Sequence, residues 1–585
     1  MRLASLLDRA LSRGRALVRT GEPALLVVAA LIGCLAGVAV TVMSRLAQWL
    51  HVVLFAIGRD DFLSATATIT PSWRVLATAG GGLVLGAVYL LFRRSQQIVD
   101  PIEANALHGG RMSLRDSLRV AFEAVVSNGS GASVGLEAGY TQIGGAVASR
   151  IGQRLHLRRA DLRTAVGCGA AGAIAAAFSA PLTGAFYSFE LIIGVYSVAN
   201  IAPVMTAAIS GFLVAQGLGA AAYTIEVPST LTLHAADYPP YLVLGILAGL
   251  AAIAIMRLVT LADVAFQKSR LPRAIRPVIG GLIIGAMALY TPQVLAAGHG
   301  AMHVNLVQAV PVGLLLTVLV MKVASVAVSL GSGFRGGMFF ASLFLGALIG
   351  KLFAIGVAAI VPTSSIDPAA AAIVAMSALG VGIVGGPLTM TFLALEATGD
   401  LAITGIVLAA SILSALTVRE LFGYSFSTWR LHLRGETIRS AIDVGWLRGL
   451  TVGRMMRTDV RTVLATMPAD AFRSLFPLGS TQRVVVTDTD GHYAGIVLVA
   501  EIHSAPPSSE DETIQPFCRH ADKVLYPSMS AQAAAKVFEM AESEELVVVD
   551  GTTTRQVVGL LTEAHLFRRY AEELDKARRN LAGEN

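Results

Sequence analysis

The sequence predicts an all-α, polytopic membrane protein with broken helices, followed by a smaller α/β region at its C-terminal end. Three observations support this fold class. The 585 residues are 54% hydrophobic and only 14% charged, with a mean hydropathy of +0.66. A motif recurs about 200 residues further along the chain, and after Gly435 the composition changes to charged, alternating segments. Since globular chains are about 25% charged, most of this chain is predicted to be solvated by lipid.

Apolar runs of spanning or nearly spanning length recur over the first 435 residues. They cover residues 24–43, 75–92, 240–256, 277–290, 308–330, 336–360 and 367–397. Glycine or proline interrupts each run, and several are shorter than the ~20 residues that a straight spanning helix needs. The sequence therefore predicts a transmembrane domain over residues 24–435 in which the helices are discontinuous.

The first 23 residues are predicted to form a basic amphipathic helix. Arg2, Arg9, Arg13, Arg15 and Arg19 precede the first apolar run, and no small-residue cleavage site of a signal peptide follows them. Arg419, Arg430, Arg434 and Arg439 close the last apolar segment. Because lysine and arginine are enriched on the cytoplasmic side of membrane helices, we expect a multi-pass inner-membrane protein with both termini in the cytoplasm.

Several function classes are disfavoured. The net charge of +6 is accounted for by the membrane-flanking arginines, so no nucleic-acid partner is predicted. Cys34, Cys168 and Cys518 are too widely spaced to suggest a disulfide or metal pattern. His299 and His303 have no third ligand nearby, so no metal site is predicted. The chain has no phosphate-binding loop, zinc-protease motif or nucleophile elbow, which argues against an intramembrane enzyme.

Two segments indicate an internal repeat. "APLTGAFYSFEL" from Ala180 and "GPLTMTFLALEA" from Gly386 share P-L-T-x-x-F-x-x-x-E, with an offset of 387 − 181 = 206 residues. The glycine-rich elements "GLEAG" from Gly135 and "GMFFA" from Gly337 lie 337 − 135 = 202 residues apart. Two pairs at nearly one offset predict duplicated halves, roughly 60–225 and 240–430. Duplicated halves with broken helices are typical of secondary transporters, which bind their substrate between the halves.

Glu137 lies in the glycine-rich stretch "SNGSGASVGLEAGYTQIGG", residues 127–145, among apolar neighbours. A helix that begins inside the membrane presents unpaired N–H groups and the positive end of its dipole, and both attract an anion. Glycine lets the backbone approach such an ion closely. We expect Glu137 to lie at a helix start, to occupy the anion position and to leave it when protonated. The alternative is a carboxylate that stays hydrogen-bonded to the backbone.

These residues resemble the CLC family of chloride channels and chloride/proton exchangers. "GLEAGYTQIGG" is similar to the family's G-[KR]-E-G-P segment followed by Q-I-G, and "GSGFRGGMFFASLFLGALIG" to its G-x-F-x-P segment. "VGCGAAGAIAAAFSAPLTGAFYSFE" is similar to its Cys-Gly-Ala-Ala, Ala-Pro-Leu-x-Gly and Phe-x-x-Glu run. Over residues 24–435 the resemblance implies an inverted-repeat bundle and a homodimer in which each subunit has its own pathway for chloride or another small anion. It implies that Glu137 is the gate and that the anion site lies at Gly135, Leu136, Glu137, Met338 and Phe339.

The chain departs from the family at side chains that would face the anion. If "PIEANAL" is matched to the family's P-E-I-E-G-A-L, the pathway serine falls on Ile98 and Asp100 lies close by. An acidic group would repel an anion, so Asp100 is expected to point away or to be paired. The family's central tyrosine falls on Ser427, and Tyr424 is a second hydroxyl candidate. Lys322, in an apolar run, is a candidate for the pathway or for a structural ion pair with a carboxylate. Arg335 and Ala341 replace the family's prolines around the second glycine-rich element.

The expected mode of transport depends on one position. In exchangers of this family a second glutamate relays protons, and it follows the glutamate of Phe-x-x-Glu; here that position is Leu191, after Glu190. Leucine cannot carry a proton, so we expect anion transport that is channel-like or loosely coupled to protons. Strict chloride/proton antiport is the alternative, since Glu190 is adjacent. Glu190 and its repeat equivalent Glu396 are expected to bond to the backbone.

After a linker predicted over residues 436–450, residues 451–585 resemble a pair of CBS domains. "RVVVTDTDGHYAGIVLVAEIHS" (483–504) and "ELVVVDGTTTRQVVGLLTEAHLF" (545–567) both read as strand, Asp-Gly turn, strand and helix. In CBS domains a G-x-x-T-x-x-D motif holds an adenosine ribose. Here the first motif loses the threonine and offers Glu501, while the second keeps Thr562 but has His565. A structural or dimerising role is favoured over binding of an adenine nucleotide, and no other cofactor is predicted. A competing hypothesis is a membrane-anchored sensor that reads a ligand through this pair.

Overall fold

The computed structural model describes residues 22–92, 98–220, 238–308, 310–361, 366–434, 450–505 and 513–582. The chain divides into two compact units, one ending at residue 443 and the other beginning at residue 444. The described part of the first unit is helical and that of the second is α/β, which confirms the predicted fold class. The predicted N-terminal helix (1–23) and linker (436–450) lie outside the described residues, except for residues 22, 23 and 450.

The first unit contains helices of very different length. They are α1 (Glu22–Phe55), α2 (Pro71–Leu91), α3 (Pro101–Leu107), α4 (Leu114–Gly129), α5 (Glu137–Arg154), α6 (Arg159–Phe178), α7 (Pro181–Tyr187), α8 (Val198–Gly217), α9 (Tyr238–Lys268), α10 (Arg276–Tyr290), α11 (His299–Val307), α12 (Val312–Ser332), α13 (Phe339–Ile360), α14 (Pro368–Val384), α15 (Pro387–Thr398), α16 (Leu401–Leu421) and α17 (Phe426–Leu433). A π-helical turn, Ser188–Ile193, continues α7, and a 3₁₀ turn, Pro292–Val294, follows α10.

Among the described residues, seven stretches are long and apolar enough to cross a bilayer. They are Pro23–Phe55, Pro71–Leu91, Val198–Gly217, Tyr238–Lys268, Val312–Ser332, Phe339–Ile360 and Leu401–Leu433. The apolar run 367–397 is broken into two helices because Gly385 and Gly386 adopt φ values of +90° and +75°, and Pro387 then opens α15. The third and the last of these stretches were missing from the predicted runs. The third, α8, carries Asn200, Pro203, Thr206 and Ser210, which interrupt its apolar sequence.

Small residues let these helices pack with their backbones almost in contact. A methyl group at Gly144 of α5 would lie 2.3 Å from the carbonyl oxygen of Gly169 in α6, and one at Gly169 would lie 2.2 Å from that of Gly144. In the second half, a methyl group at Gly350 of α13 would lie 2.1 Å from the carbonyl oxygen of Ala371 in α14. Helices in membranes associate through such close contacts, because lipid supplies no hydrophobic force to press them together.

The two halves of the bundle exchange equivalent contacts. Helices α5, α7 and α8 begin 339 − 137 = 202, 387 − 181 = 206 and 401 − 198 = 203 residues before α13, α15 and α16. Gly135 and Gly337, which are equivalent in the repeat, form an antiparallel bridge with two N–H···O bonds of 3.0 Å. The carboxylate of Glu190 binds the start of α15, and that of Glu396 binds the start of α7. Such reciprocity indicates a pseudo-two-fold axis that passes between Gly135 and Gly337.

The second unit has two similar halves. Its elements are α18 (Val452–Met455), β1 (Thr462–Leu464), α19 (Ala469–Leu475), β2 (Arg483–Thr487), β3 (Tyr493–Leu498), α20 (Val499–Ser504), a 3₁₀ turn (Gln515–Phe517), α21 (Ala531–Ala541), β4 (Glu545–Val549), β5 (Val557–Thr562) and α22 (Glu563–Ala582). Strand β1 pairs parallel to β2, and both β2–β3 and β4–β5 are antiparallel. Each hairpin has an irregular register at the same place, next to the pairs Val486–Gly495 and Val548–Gly559.

An aspartate closes each hairpin turn. The carboxylate of Asp488 accepts hydrogen bonds from the N–H groups of His492 and Asp490, and these bonds hold the pKa of Asp488 below its usual range. In the second hairpin, bonds from the Thr554 hydroxyl and the Gln556 N–H lower the pKa of Asp550 in the same way. The predicted order of strand, Asp-Gly turn, strand and helix is therefore present in both halves.

Candidate functional site

Glu137 lies where two helix starts meet on the pseudo-two-fold axis. It is the first residue of α5 and is 6% exposed. Its Oε1 accepts a hydrogen bond of 3.1 Å from the N–H of Phe340, in the first turn of α13. Its Oε2 is buried and has no hydrogen-bond partner in the part of the chain that the structure describes. The carboxylate therefore lies at the positive ends of two helix dipoles, those of α5 and α13. The sequence predicts the first of these two helix starts.

Two glycines make room for this carboxylate. A Cβ atom at Gly135 would lie 2.0 Å from Oε2 of Glu137, and one at Gly337 would lie 3.0 Å from it. Neither glycine has a positive φ, so the backbone conformation alone does not demand glycine at these positions. The glycine-rich sequence is required here because a side chain at Gly135 or Gly337 would take the space that the carboxylate occupies.

A cavity of about 240 Å³ adjoins Glu137. Its lining includes five other residues that the sequence analysis assigned to the site: Ile98, Asp100, Met338, Phe339 and Ser427. It also includes the hydroxyl residues Thr141, Tyr187 and Thr260, which the sequence analysis missed. Tyr187 follows four apolar or small residues in "TGAFY", so the sequence gives no sign that its side chain faces a cavity rather than the core.

The other predicted site residues lie outside this lining. Gly135 and Leu136 directly precede Glu137, and Leu136 is the N-cap of α5. The Tyr424 hydroxyl lies 3.3 Å from Nδ1 of His432, and the two rings stack at 4.6 Å. Tyr424, which precedes α17, is thus held against that helix, and Ser427 is the hydroxyl residue of this segment that lines the cavity.

Lys322 is fully buried away from the cavity. Its ammonium group donates to the carbonyl oxygens of Val294 and Ala296 at 3.2 and 2.8 Å, and it faces the ring of Phe344 at 5.9 Å. Its hydrogen-bond partners are therefore backbone carbonyls, where the sequence analysis expected a carboxylate or the pathway. The 3₁₀ turn after α10 exposes these carbonyls to a cation.

Asp100 lines the cavity but is paired through its own helix. As the N-cap of α3, it accepts a 2.8 Å hydrogen bond from the N–H of Glu103. Arginines 335, 430 and 434 line the same cavity and offset its charge, with Asp263 also present. Arg335 is anchored by Glu123 at 3.2 Å, and Glu123 also binds Arg119 at 2.8 Å. The walls of the cavity therefore carry more cationic than acidic side chains, apart from Glu137 itself.

The position predicted for a proton relay does not reach the cavity lining. Glu190 accepts hydrogen bonds from the N–H groups of Leu388 and Thr389 at 3.0 and 2.8 Å, and from the Thr389 hydroxyl at 2.6 Å. Glu396 makes the equivalent three bonds to Leu182 and Thr183. The prediction that both carboxylates bond to the backbone is confirmed. Leu191 packs near Gly385 with an apolar side chain.

Comparisons with known proteins identify the family of this chain. The family model of the voltage-gated chloride channel matches residues 80–419. The chain is 32% identical over 385 residues to a ClcB-like chloride channel protein of Ralstonia nicotianae, covering 64% of this chain and 89% of that protein. The chain belongs to the voltage-gated chloride channel (CLC) family. It is a multi-pass membrane protein with the fold of that family.

Solved CLC structures share this fold. A slow cyanobacterial Cl⁻/H⁺ antiporter superposes with a TM-score of 0.60 at 20% identity, over 70% of this chain and 97% of the antiporter. A eukaryotic CLC transporter gives a TM-score of 0.60 at 18% identity, over 94% of this chain and 98% of the transporter. In this CLC chain the cavity lies next to Glu137, and residues of both repeats line it.

In the second unit the candidate ribose ligands already have partners. Glu501 forms a salt bridge with Arg519. The Thr562 hydroxyl accepts a hydrogen bond from the N–H of His565 at 3.2 Å and so caps α22. Glu501 and Thr562 therefore both have partners within the second unit.

Proposed function

We propose that this chain transports chloride, or another small anion, across the membrane and that protonation of Glu137 gates the pathway. The observation that carries the proposal is the position of the Glu137 carboxylate, which accepts from the Phe340 N–H between Gly135 and Gly337. A negative group held by helix starts marks a place where a mobile anion is also stabilised. The chloride named for the relatives is the first candidate for the transported ion.

The gate works by competition for one position. While ionised, the carboxylate of Glu137 is attracted to the N-termini of α5 and α13 and excludes another anion. A protonated carboxyl group loses that attraction, since a neutral group gains little from a helix dipole. It can then swing away, and an anion from the cavity takes its place. Transport therefore rises with the fraction of protonated Glu137.

We propose that transport is channel-like or only loosely coupled to protons. Support comes from Leu191, which offers no titratable group, and from Glu190, whose carboxylate is occupied by three hydrogen bonds. Strict antiport remains the competing mechanism. A chloride gradient across proteoliposomes with a clamped potential distinguishes them: uphill proton movement that vanishes in Glu137→Gln would support antiport.

We also propose an oligomeric state and a cellular location for this protein. We infer a homodimer with one pathway in each subunit, an inner-membrane location, and both termini in the cytoplasm. We also infer that the second unit is a CBS pair with a structural or dimerising role. The matching halves, β2–β3–α20 and β4–β5–α22, support the CBS assignment, and the engaged Glu501 and Thr562 argue against nucleotide binding.

The direct test is anion flux from proteoliposomes that contain the purified protein. Glu137→Gln mimics the protonated gate, so flux in this variant should stay high and change little with pH, while wild-type flux falls as pH rises. Asp61→Asn, which removes a carboxylate from an exposed loop, is the matched control and should keep the wild-type pH profile. A Glu137→Gln variant with the wild-type pH profile would contradict the assignment of the gate.

A further inference from the structure

A turn of strongly basic sequence joins α9 to α10. The segment "KSRLPRAIR", which we call the basic turn (residues 268–276), contains four cations: Lys268, Arg270, Arg273 and Arg276. No aspartate or glutamate occurs between Asp263 and Asp367. Lys268 is also the last residue of a stretch that is long and apolar enough to cross a bilayer. The basic turn therefore begins where the spanning part of α9 ends.

Contacts within the bundle support the backbone of the basic turn. Nε of Arg276 donates a hydrogen bond of 3.2 Å to the carbonyl oxygen of Leu271, so this cation is used inside the turn. A Cβ atom at Gly86 of α2 would lie 2.2 Å from the carbonyl oxygen of Ala274, so the turn packs directly on the backbone of α2. The other three cations therefore extend from a supported backbone.

Those three cations lie beside apolar side chains that are also exposed. Lys268, Arg270 and Arg273 are exposed, and none of them forms an ion pair or a side-chain hydrogen bond with any residue that the structure describes. Ile275, within the turn, is 46% exposed. Leu91, five residues after Gly86 at the end of α2, is 79% exposed. Cations next to exposed apolar side chains are typical of the membrane interface, where a protein contacts headgroups and acyl chains together.

We propose that the basic turn binds the phosphate headgroup of an anionic phospholipid. Guanidinium groups bind phosphate oxygens through paired N–H donors, and basic residues next to a membrane-spanning helix attract anionic lipids. The acyl chains of the same lipid lie against Ile275 and Leu91. No residue of the basic turn lines the cavity next to Glu137, so this site is separate from the proposed anion pathway.

The test measures lipid binding to the full-length protein in detergent. Phosphatidylglycerol or phosphatidylcholine with the same acyl chains is added, bound lipid is counted by native mass spectrometry, and the melting temperature is recorded. The wild type should prefer phosphatidylglycerol and melt at a higher temperature with it, because a ligand of the folded state stabilises that state. The triple variant Lys268→Gln, Arg270→Gln, Arg273→Gln should bind phosphatidylglycerol on the order of 100-fold more weakly, about fivefold for each cation. Its melting temperature in phosphatidylcholine should equal that of the wild type, because the three side chains have no partners among the described residues.

The matched control removes the same residue types from the second unit. Arg457→Gln, Arg461→Gln, Lys536→Gln takes away two exposed arginines and one exposed lysine. Each triple variant lowers the net charge from +6 to 6 − 3 = +3. A general effect of charge would therefore weaken lipid binding equally in both variants, whereas a site at the basic turn leaves the control with the wild-type preference for phosphatidylglycerol.

Three results would overturn the inference. One is wild-type binding of phosphatidylglycerol in the variant of the basic turn, and another is equal weakening in both triple variants. The third comes from inorganic phosphate added without lipid: a rise in the wild-type melting temperature as large as that with phosphatidylglycerol would indicate a site for soluble phosphate. None of these measurements involves transport, so each can fail while the proposed function stands.

Discussion

At the scale of single residues, the site depends on the space that Gly135 and Gly337 leave because they have no side chains. If these two residues carried side chains, the carboxylate of Glu137 could not occupy its present position. Its Oε1 accepts a hydrogen bond from the backbone N–H of Phe340, and the carboxylate occupies space that side chains at Gly135 and Gly337 would otherwise take. Tyr187 and Ser427 line the adjoining cavity through their side chains and are not part of this backbone arrangement.

The first prediction concerns Gly135. Because its added Cβ would lie 2.0 Å from Oε2 of Glu137, Gly135→Ala should expel the carboxylate from its position and leave the pathway constantly open. Anion flux in proteoliposomes should therefore lose most of its pH dependence, as in Glu137→Gln. The same methyl group also narrows the anion position, so the flux should be lower than in Glu137→Gln.

Gly356→Ala is the matched control for this prediction. Gly356 lies in α13, and a Cβ atom there would have no heavy atom within 4 Å. Its flux and pH profile should equal those of the wild type. A Gly135→Ala variant that keeps the wild-type pH profile would mean that the carboxylate does not occupy this position during gating.

At the scale of elements, two carboxylates hold the halves together. Glu190 and Glu396 each accept three hydrogen bonds from the start of the helix in the opposite half, α15 and α7 respectively. These bonds satisfy N–H groups that a helix beginning inside the bundle cannot satisfy itself. The contacts are reciprocal, so the two glutamates should contribute similarly to stability.

Replacing either glutamate by glutamine should therefore lower the melting temperature in detergent to a similar extent. Hydrogen bonds to a charged acceptor contribute about 1.5–3 kcal/mol each, and glutamine turns one acceptor oxygen into a donor that faces N–H groups. We expect a loss of several kcal/mol in both variants. Glu420→Gln removes an exposed charge paired with Arg419, both side chains being 70% exposed, and should change stability by less than about 1 kcal/mol. A large effect in one of the two buried variants and none in the other would contradict the pseudo-symmetric arrangement.

The sequence reveals those features of the bundle that depend on glycine, proline and charge. The P-L-T-x-x-F-x-x-x-E repeat predicts both helix starts and their glutamates, and the glycines around Glu137 predict its place. Periodicity alone does not place α8, because Asn200, Pro203, Thr206 and Ser210 interrupt its apolar sequence. The partners of Lys322 are carbonyl oxygens of a turn that lies 26 to 28 residues earlier in the sequence. These contacts arise from tertiary packing, which leaves no local pattern.

At the scale of the whole molecule, the chain consists of two units with separate cores. The largest core cluster of the helical unit is built from α6, α9 and α11–α17, while the second unit has its own clusters around Phe472 and Phe538. A third cluster joins the two hairpins of the second unit through Val485, Tyr493 and Val547. A unit with a continuous core of its own is expected to fold alone.

The last prediction follows from this division. The fragment 444–585, expressed alone, should be soluble and show a cooperative thermal transition by circular dichroism, because its hairpins and the cluster between them are complete within it. The complementary fragment, which ends at residue 443, should still transport anions in proteoliposomes with the pH dependence set by Glu137, because every described residue that lines the cavity belongs to it. Phe538→Ala in the isolated second fragment should cost about 3–5 kcal/mol, as a buried aromatic ring in its core. The same change in the full-length protein should leave the pH profile of transport unaltered. Loss of transport from a well-folded fragment ending at residue 443 would show instead that the second unit takes part in the pathway.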